Sequence, residues 1–362
     1  MKNSFGNSVT VTLFGESHGP EIGVIIDGLA PGIPVDTDYI EQRLQLRKPQ
    51  GSISTKRVET DMPHFVSGVF EGHTTGTPIC ITMENSDTDS KNYELAKSLM
   101  RPGHADYTAI LKYHGYSDYR GGGHFSGRLT APIVAAGALI SKALEDKGIY
   151  IGTHIKKCRD VYDREFSDLK SDIARLNTLQ FPVLDENAGE LIRREIESAA
   201  ENKDSVGGVL ETAVIGVPAG AGEPWFDSVE SVISHGIFSI PAVKGVEFGA
   251  GFAFSDMYGS EANDEFFVNG DNIETRTNNN GGINGGITNG MPIIFRTVIK
   301  PTPSIFKPQN TVDVNKMEDA VLEIKGRHDP AIFHRARVVA DSVTAICLCD
   351  ILTSRFGTDW LR

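Results

Sequence analysis

Three consecutive glycines, Gly121-Gly122-Gly123, stand inside the stretch Tyr119-Arg120-Gly121-Gly122-Gly123-His124-Phe125-Ser126-Gly127-Arg128. Neither a helix nor a strand holds such a run well, because each interior glycine costs about 0.5–1 kcal/mol relative to alanine. The chain must therefore form a shaped loop here. The strongest helical pattern follows at once: it begins after Thr130, has Pro132 in its first turn, carries Val134, Leu139, Ile140 and Leu144, and meets Gly148. A glycine loop feeding a helix N-terminus aims backbone N–H groups at an anion, and Arg120, Ser126 and Arg128 add charge and donors. The stretch is neither a P-loop nor a clean GxGxxG, and a purely structural glycine loop accounts for the same residues.

Around this loop, strand and helix signals alternate without a repeat. Strands are expected at Val9–Phe14, Ile22–Ile26, Pro78–Met83, Val209–Val217, Gly245–Phe254 and Met291–Ile299. Asp36 or Thr37 caps a helix carrying Ile40, Leu44 and Leu46 and stopped by Pro49. Further helices are expected over Glu190–Ala200, Val229–Ser234, Asn315–Lys325 and Ala336–Leu352. Long segments of weak periodicity remain at Gln50–Thr60, Asn85–Gly115, Glu261–Gly286 and Pro301–Thr311, the kind that inside a compact domain is functional or mobile. No linker or charge block divides the 362 residues, so the reading is one α+β domain over residues 1–362.

Thirty-five basic against 48 acidic residues leave a net charge of −13, which argues against duplex nucleic acid or an anionic membrane as partner. No run approaches the roughly 18–20 apolar residues of a membrane span. Cys80, Cys158, Cys347 and Cys349 follow neither a disulfide nor a zinc spacing, which fits buried reduced thiols in a cytoplasmic protein.

Against that acidic background, Arg, His, Ser and Gly gather in a few loops. Gly15-Glu16-Ser17-His18-Gly19 follows a strand, and a histidine delivered there can act as a general acid near neutral pH; an ordinary turn with a solvated His reads equally well. Arg101-Pro102-Gly103-His104-Ala105-Asp106 sets a cation, a rigid turn, an imidazole and a carboxylate within six residues, so that Asp106 could orient His104; a surface turn with an Arg–Asp pair is the plainer account. Asn278-Asn279-Asn280-Gly281-Gly282-Ile283-Asn284-Gly285-Gly286 and Lys300-Pro301-Thr302-Pro303-Ser304 suit close approach to a flat or phosphorylated ligand, or a flexible polar hairpin. Gly326-Arg327-His328-Asp329-Pro330 is either a further cationic loop or a helix C-cap with Asp–Pro turn chemistry. No HExxH or short His/Asp cluster gives metal spacing, so no metal is expected. His64, His73, His114, His154 and His235 read as surface or satisfied structural residues. Together the loops favour an enzyme pocket for an anionic, phosphorylated ligand.

Four of these features, Gly15–Gly19, Arg101–Asp106, Tyr119–Gly123 and Gly326–Pro330, occur together with Asp204-Ser205-Val206-Gly207-Gly208 in the order in which they occur in a known family. Over residues 6 to about 350 the chain closely resembles the chorismate synthase family. The resemblance implies a β-α-β sandwich, commonly a homotetramer. It also implies a trans 1,4-elimination of phosphate from 5-enolpyruvylshikimate 3-phosphate, the last step of the shikimate pathway, using reduced FMN without net redox change. It matches His18 to the histidine that protonates the departing phosphate and His104 to the one beside the reduced flavin. Asp329 matches the aspartate that assists transfer of the ring proton, and Ser17 and Ser126 match serines of a proton relay. Arg47, Arg101, Arg128 and Arg327 take cationic substrate positions. FMN contacts fall to His124, Phe125, Ser126, Ala242, Gly285, Lys300, Pro301, Thr302, Pro303, Ser304 and Arg327. His124-Phe125-Ser126 replaces the family's usual Arg-Ser-Ser. The second arginine of an NADP-related pair has no counterpart, leaving Arg47 alone there. A flavin-dependent oxidoreductase using the same pocket is the competing enzyme class, and a phospho-ligand binding module the non-enzymatic one.

Overall fold

A computed structural model describes residues 2–49, 51, 53–54, 61–85, 97–324 and 329–362. Two antiparallel sheets enclose a helical layer. The first contains Ser4–Phe5 (β1), Thr10–Gly15 (β2), Glu21–Asp27 (β3), His64–Ser67 (β4) and Ile79–Glu84 (β5), in the order β1-β2-β3-β5-β4. The second contains Tyr150–Cys158 (β6), Val161–Tyr162 (β7), Gly208–Ile215 (β8), Val243–Phe248 (β9) and Ile293–Ile299 (β10), in the order β9-β10-β8-β6-β7. Between them lie Thr37–Arg47 (α1) and Thr130–Asp146 (α3), with Phe333–Phe356 (α7); Asp106–Tyr113 (α2), Leu169–Leu176 (α4), Glu186–Glu201 (α5) and Val229–Phe238 (α6) complete the main helices. This is the β-α-β sandwich that the resemblance implies.

The central position of α3 follows from its sequence. It is apolar nearly all round, and every residue from Thr130 to Ser141 is buried, the pattern of a helix enclosed by other elements. It packs on α1 and α7 and reaches β3 and β5 on one side and β6 on the other. Gly137 permits the close approach to α7, since a Cβ there would lie 2.3 Å from the Cβ of Ser342. One contiguous apolar cluster runs from Val9 to Leu361, each fully enclosed Ile or Leu contributing about 1.5–3 kcal/mol.

Polar ties fix the layers laterally. Asp350 of α7 accepts the backbone N–H groups of Asn7 (3.0 Å), Ser8 (2.7 Å) and Val9 (3.0 Å), pinning the entrance to β2. Asp341 of α7 accepts Arg43 of α1 at 2.6 Å and the Thr153 hydroxyl of β6 at 2.6 Å. Burial pushes the neighbouring Arg337 down to about 10. A second buried cluster crosses the other sheet: His154 faces Asp163 (2.7 Å) and Glu211 (3.2 Å), and Glu211 also meets Arg296 (3.2 Å), its register partner on β10. His154 is thus a satisfied structural histidine, as expected.

Several expectations are corrected. The helix expected over Asn315–Lys325 is a β-hairpin arm instead: Glu318–Leu322 pairs antiparallel with Gln309–Asp313. Glu318-Asp319-Ala320-Val321-Leu322 suits a helix locally, but alternate pairing with a neighbouring strand overrides propensity. The strand expected over Gly245–Phe254 stops at Phe248, and Gly251–Asp256 forms a 3-10 turn. The Asn85–Gly115 segment contains α2, and Glu261–Gly286 contains the hairpin Phe266–Asn269 with Asn272–Thr275. Among the described residues no helix is long and apolar enough to cross a membrane, and no group of three His, Cys, Asp or Glu is placed to hold a metal ion. Cys158, Cys347 and Cys349 are free and buried, and burial raises the Cys349 thiol to about 12.

Candidate active site

The glycine triplet forms the floor of the site. Gly121, Gly122 and Gly123 all have positive φ, at 57°, 87° and 54°, a conformation open to glycine and strained for other residues. This turn lets the backbone pass between two functional loops. On one side the β2–β3 turn supplies Ser17 and His18: a Cβ on Gly121 would lie 2.9 Å from both Ser17 Oγ and His18 Nε2. On the other side lies His104, whose Cε1 and Nε2 would be 3.5 Å from a Cβ on Gly122. The Ser17 N–H donates to the Gly123 carbonyl at 3.1 Å, and His124 Nδ1 donates to the Gly15 carbonyl at 2.8 Å, so the turn and the glycine loop are stitched together. His18 and His104, 86 residues apart in the chain, become neighbours of adjacent glycines.

The imidazole of His104 is oriented by a carboxylate. Its Nδ1–H donates to Asp106 Oδ1 at 2.7 Å, which leaves Nε2 as the working nitrogen. Asp106 is held by Arg101 through Nε (2.7 Å) and a terminal nitrogen (2.7 Å). Burial pushes the Asp106 carboxyl up, but the hydrogen bonds and charges of Arg101 and His104 outweigh it and leave it far below the usual range. The guanidinium of Arg101 therefore positions His104 through Asp106.

A cavity of about 1010 Å³ opens beside this loop, with Gly121 in its wall; Gly122, Gly123, Ser17 and His18 do not line it. Its wall includes His104, Gly121, His124, Phe125, Ser126, Arg47, Arg128, Ala242, Lys300, Thr302, Pro303, Ser304 and Asp329. Thirteen expected or loop-motif residues from six regions of the chain thus share one wall. Ala242, in a left-handed conformation (φ 74°), turns the chain so that its carbonyl accepts the Lys300 N–H at 2.9 Å. Lys300 Nζ donates to the Gly103 carbonyl at 2.5 Å, linking the Lys300–Ser304 loop to the His104 loop. The Thr302 hydroxyl donates to the Asp329 carbonyl at 2.6 Å, and Ser205 Oγ donates to the Thr302 carbonyl at 2.7 Å, which gives the Asp204–Gly208 motif its place as a brace. Pro301 lies against Gly207, behind the wall. Gly285 sits at the turn between Ile283–Asn284 and Ile287–Thr288 and does not line the cavity. Arg327 lies outside the described residues.

Three contributors carried no sequence signal of their own. Arg335, in the first turn of α7, lines the cavity, donates to Asp329 Oδ2 at 2.7 Å and to the Arg47 carbonyl at 2.9 Å, and so fixes the Asp329 carboxylate. Asp61 joins Arg47 (2.7 Å) and Arg128. Asn85 accepts from Arg128 Nε at 2.9 Å. Burial raises the Asp61 carboxyl, but the charges of Arg47 and Arg128 prevail and hold it low. His235, read as a surface or satisfied structural residue, lines the cavity with its ring edge-on to Phe5 at 5.1 Å.

The residues suit a phosphorylated flat cofactor beside an anionic substrate. Ser17 Oγ is enclosed and has no hydrogen-bond partner among the described residues, a polar atom left for a ligand or relay. Gly127, in the wall, has nothing within 4 Å of where its Cβ would be. Phe125, Ala242 and Pro303 give apolar surface, and Lys300, Arg47, Arg128 and Arg335 give positive charge in a chain of net charge −13.

Two imidazoles on one glycine floor, a steered carboxylate and buried guanidinium groups define an acid–base enzyme acting on an anionic small molecule. The chorismate synthase family profile matches residues 9–353. The chain is 47% identical over 350 residues to chorismate synthase of Pyrococcus abyssi and 46% identical over 355 residues to that of Thermococcus gammatolerans, covering 97% of both chains in each case. It is 45% identical over 351 residues to that of Chitinophaga pinensis, covering 97% of this chain and 96% of the relative. A solved structure described as the crystal structure of chorismate synthase superposes with a TM-score of 0.76 at 26% identity, covering 98% of this chain and 94% of that one. The chain belongs to the chorismate synthase family. It is therefore a carbon–oxygen lyase that forms chorismate and phosphate from 5-enolpyruvylshikimate 3-phosphate, and its family uses a flavin.

Proposed function

We propose that the chain carries out this elimination with reduced FMN in the cavity beside Gly121–Gly123, with His18 and His104 as its two acid–base groups. The observation that carries the reading is the placement of both imidazoles against adjacent glycines of one loop. When bound, reduced FMN supplies an electron to the substrate and recovers it, so that the reaction is redox-neutral.

The protein's own groups do the rest. Lys300, Thr302, Pro303 and Ser304, with His124, Phe125, Ser126 and Ala242, hold the cofactor, joined by Arg327 as the resemblance implies, while Pro301 backs the wall and Gly285 lies outside it. Arg47 and Arg128, again with Arg327, bind the anionic groups of the substrate through planar donor forks. His18, backed by Ser17, delivers a proton to the leaving phosphate oxygen, which lowers the charge that must depart. His104, fixed by Asp106 and Arg101, turns its Nε2 toward the cofactor to exchange a proton with it. Asp329, held by Arg335 through Oδ2 at 2.7 Å, assists the proton that leaves the ring, and Ser126 completes the relay. Arg47 is the one position retained for NADP. We further propose that the chain works as a single domain in a cytoplasmic homotetramer, without a nucleic-acid or membrane partner.

Anaerobic turnover with less FMN than substrate tests the reading. Many chorismates per reduced flavin are expected; one per flavin, with oxidised FMN accumulating, would instead identify an oxidoreductase.

A further inference from the structure

Asp61 sits on the cations that the proposed function reserves for substrate. Its side chain is wholly enclosed, with Oδ2 accepting from Arg47 at 2.7 Å and Oδ1 accepting from Arg128. Both arginines line the cavity. Arginine stays charged and Asp61 is ionised, so the trio carries one net positive charge. A carboxylate and a phosphate are recognised by the same guanidinium fork, which makes Asp61 and an incoming anion rivals for the same donors.

The surroundings allow the exchange. Arg128 also donates to Asn85 Oδ1 at 2.9 Å and to the Glu84 carbonyl at 3.2 Å, bonds to β5 and its end that do not involve Asp61. Arg47 is the last residue of α1 and is fixed by that helix. Asp61 itself is held with φ at 43°, a left-handed conformation rare outside glycine. The two cations thus keep contacts that do not depend on the carboxylate.

We infer that Asp61 is the resident anion of the Arg47–Arg128 pair and sets substrate affinity, the substrate's phosphate or carboxylate binding by taking its place. The identity of the substrate rests on the proposed function; the exchange does not. The device selects for ligands with several anionic groups. A lone anion must overcome the loss of Asp61, whereas a phosphate ester that also bears carboxylates can engage further donors of the wall.

Asp61→Asn keeps the shape and one acceptor oxygen while removing the charge. Calorimetric titration of the flavin-free full chain with inorganic phosphate, and separately with 5-enolpyruvylshikimate 3-phosphate, should show Kd falling by about tenfold or more in the variant. Equal or weaker binding of inorganic phosphate would make Asp61 a fixed strut and overturn the inference. Because the variant disturbs a buried cluster, a crystal structure of the unaltered enzyme with substrate provides an independent reading. The Asp61 carboxylate should be out of hydrogen-bond reach of at least one arginine, and retention of both bonds overturns the exchange. Tighter phosphate binding in the variant without chorismate formation by the unaltered enzyme would sink the proposed function and spare the exchange. Turnover with both bonds retained would do the reverse.

Discussion

Replacing single glycines of the floor separates the two histidines. In Gly121→Ala the new Cβ lies 2.9 Å from His18 Nε2 and from Ser17 Oγ, where ordinary contact begins at 3.4 Å, so both groups must retreat by a few tenths of an ångström. In Gly122→Ala the Cβ lies 3.5 Å from His104, an ordinary contact that moves nothing. Both positions have positive φ, so each variant bears a similar backbone penalty, about 1 kcal/mol. Stability therefore falls alike in the two, and activity does not. Misplacing a reacting group by about 1 Å costs roughly 10²-fold, so the smaller shift at His18 should lower kcat by about tenfold in Gly121→Ala. Gly122→Ala should stay within about threefold of the unaltered enzyme, since its penalty falls on stability and not on geometry. Steady-state kcat and KM under anaerobic conditions, with urea unfolding to normalise for folded protein, give the comparison. Equal activity loss in the two variants, or an unaffected Gly121→Ala, would refute the idea that this loop spaces His18.

Arg335→Ala should lower kcat/KM by about tenfold to a hundredfold by releasing Asp329, as expected for losing one charge-assisted hydrogen bond of about 1.5–3 kcal/mol; Arg335→Lys should recover part of it, and unchanged kinetics would remove Arg335 from the site. His154→Ala should destabilise the fold by about 3–5 kcal/mol, because Asp163 and Glu211 each lose the hydrogen bond to the buried imidazole between them; turnover per folded molecule should be unchanged, as measured by urea unfolding alongside kcat. Burial raises the Glu211 carboxyl, but hydrogen bonding to His154 and the charges of Lys156 and His154 bring it down from 4.5 to about 2. A lowered folded-state value means that its contribution is complete above about pH 4.5 and is lost as pH falls toward about 2. Glu211→Gln should accordingly flatten the decline of the urea midpoint between those limits, and an unchanged slope would show that other carboxyls govern it.

The parts of the fold that the sequence announces are those whose local pattern and tertiary fate agree. The α3 helix begins at Thr130 with Pro132 in its first turn, as its pattern requires, and Asp36 caps α1 by accepting the Tyr39 N–H at 2.9 Å. The β6 strand gave no such signal, because Thr153, His154 and Lys156 are buried in polar clusters and break the apolar pattern of a central strand. In the site, the glycine-flanked histidines and the Lys300–Ser304 loop were legible because loop chemistry is concentrated in short runs. Arg335 was hidden, since the apolar helical pattern is legible only from Ala336, one residue beyond it, while the helix itself begins at Phe333. Asp61 was hidden for a different reason: its meaning lies in two arginines 14 and 67 residues away, a relation that no local spacing records. Arg101 was legible as a residue, but its bonds to Asp106, through Nε and one terminal nitrogen, were not.

Single-turnover elimination on His18→Ala and His104→Ala, with the bound reduced flavin followed spectroscopically under anaerobic conditions, tests the central claim most directly. Both variants should fold normally and lose elimination by about 10²–10⁴-fold. On the proposed assignment His18→Ala should retain the flavin spectrum of the unaltered enzyme, its imidazole being assigned to the leaving phosphate. His104→Ala should change that spectrum, its Nε2 being assigned to the cofactor. Near-normal elimination in either variant, or one spectrum shared by all three proteins, would contradict this division of labour on the glycine floor.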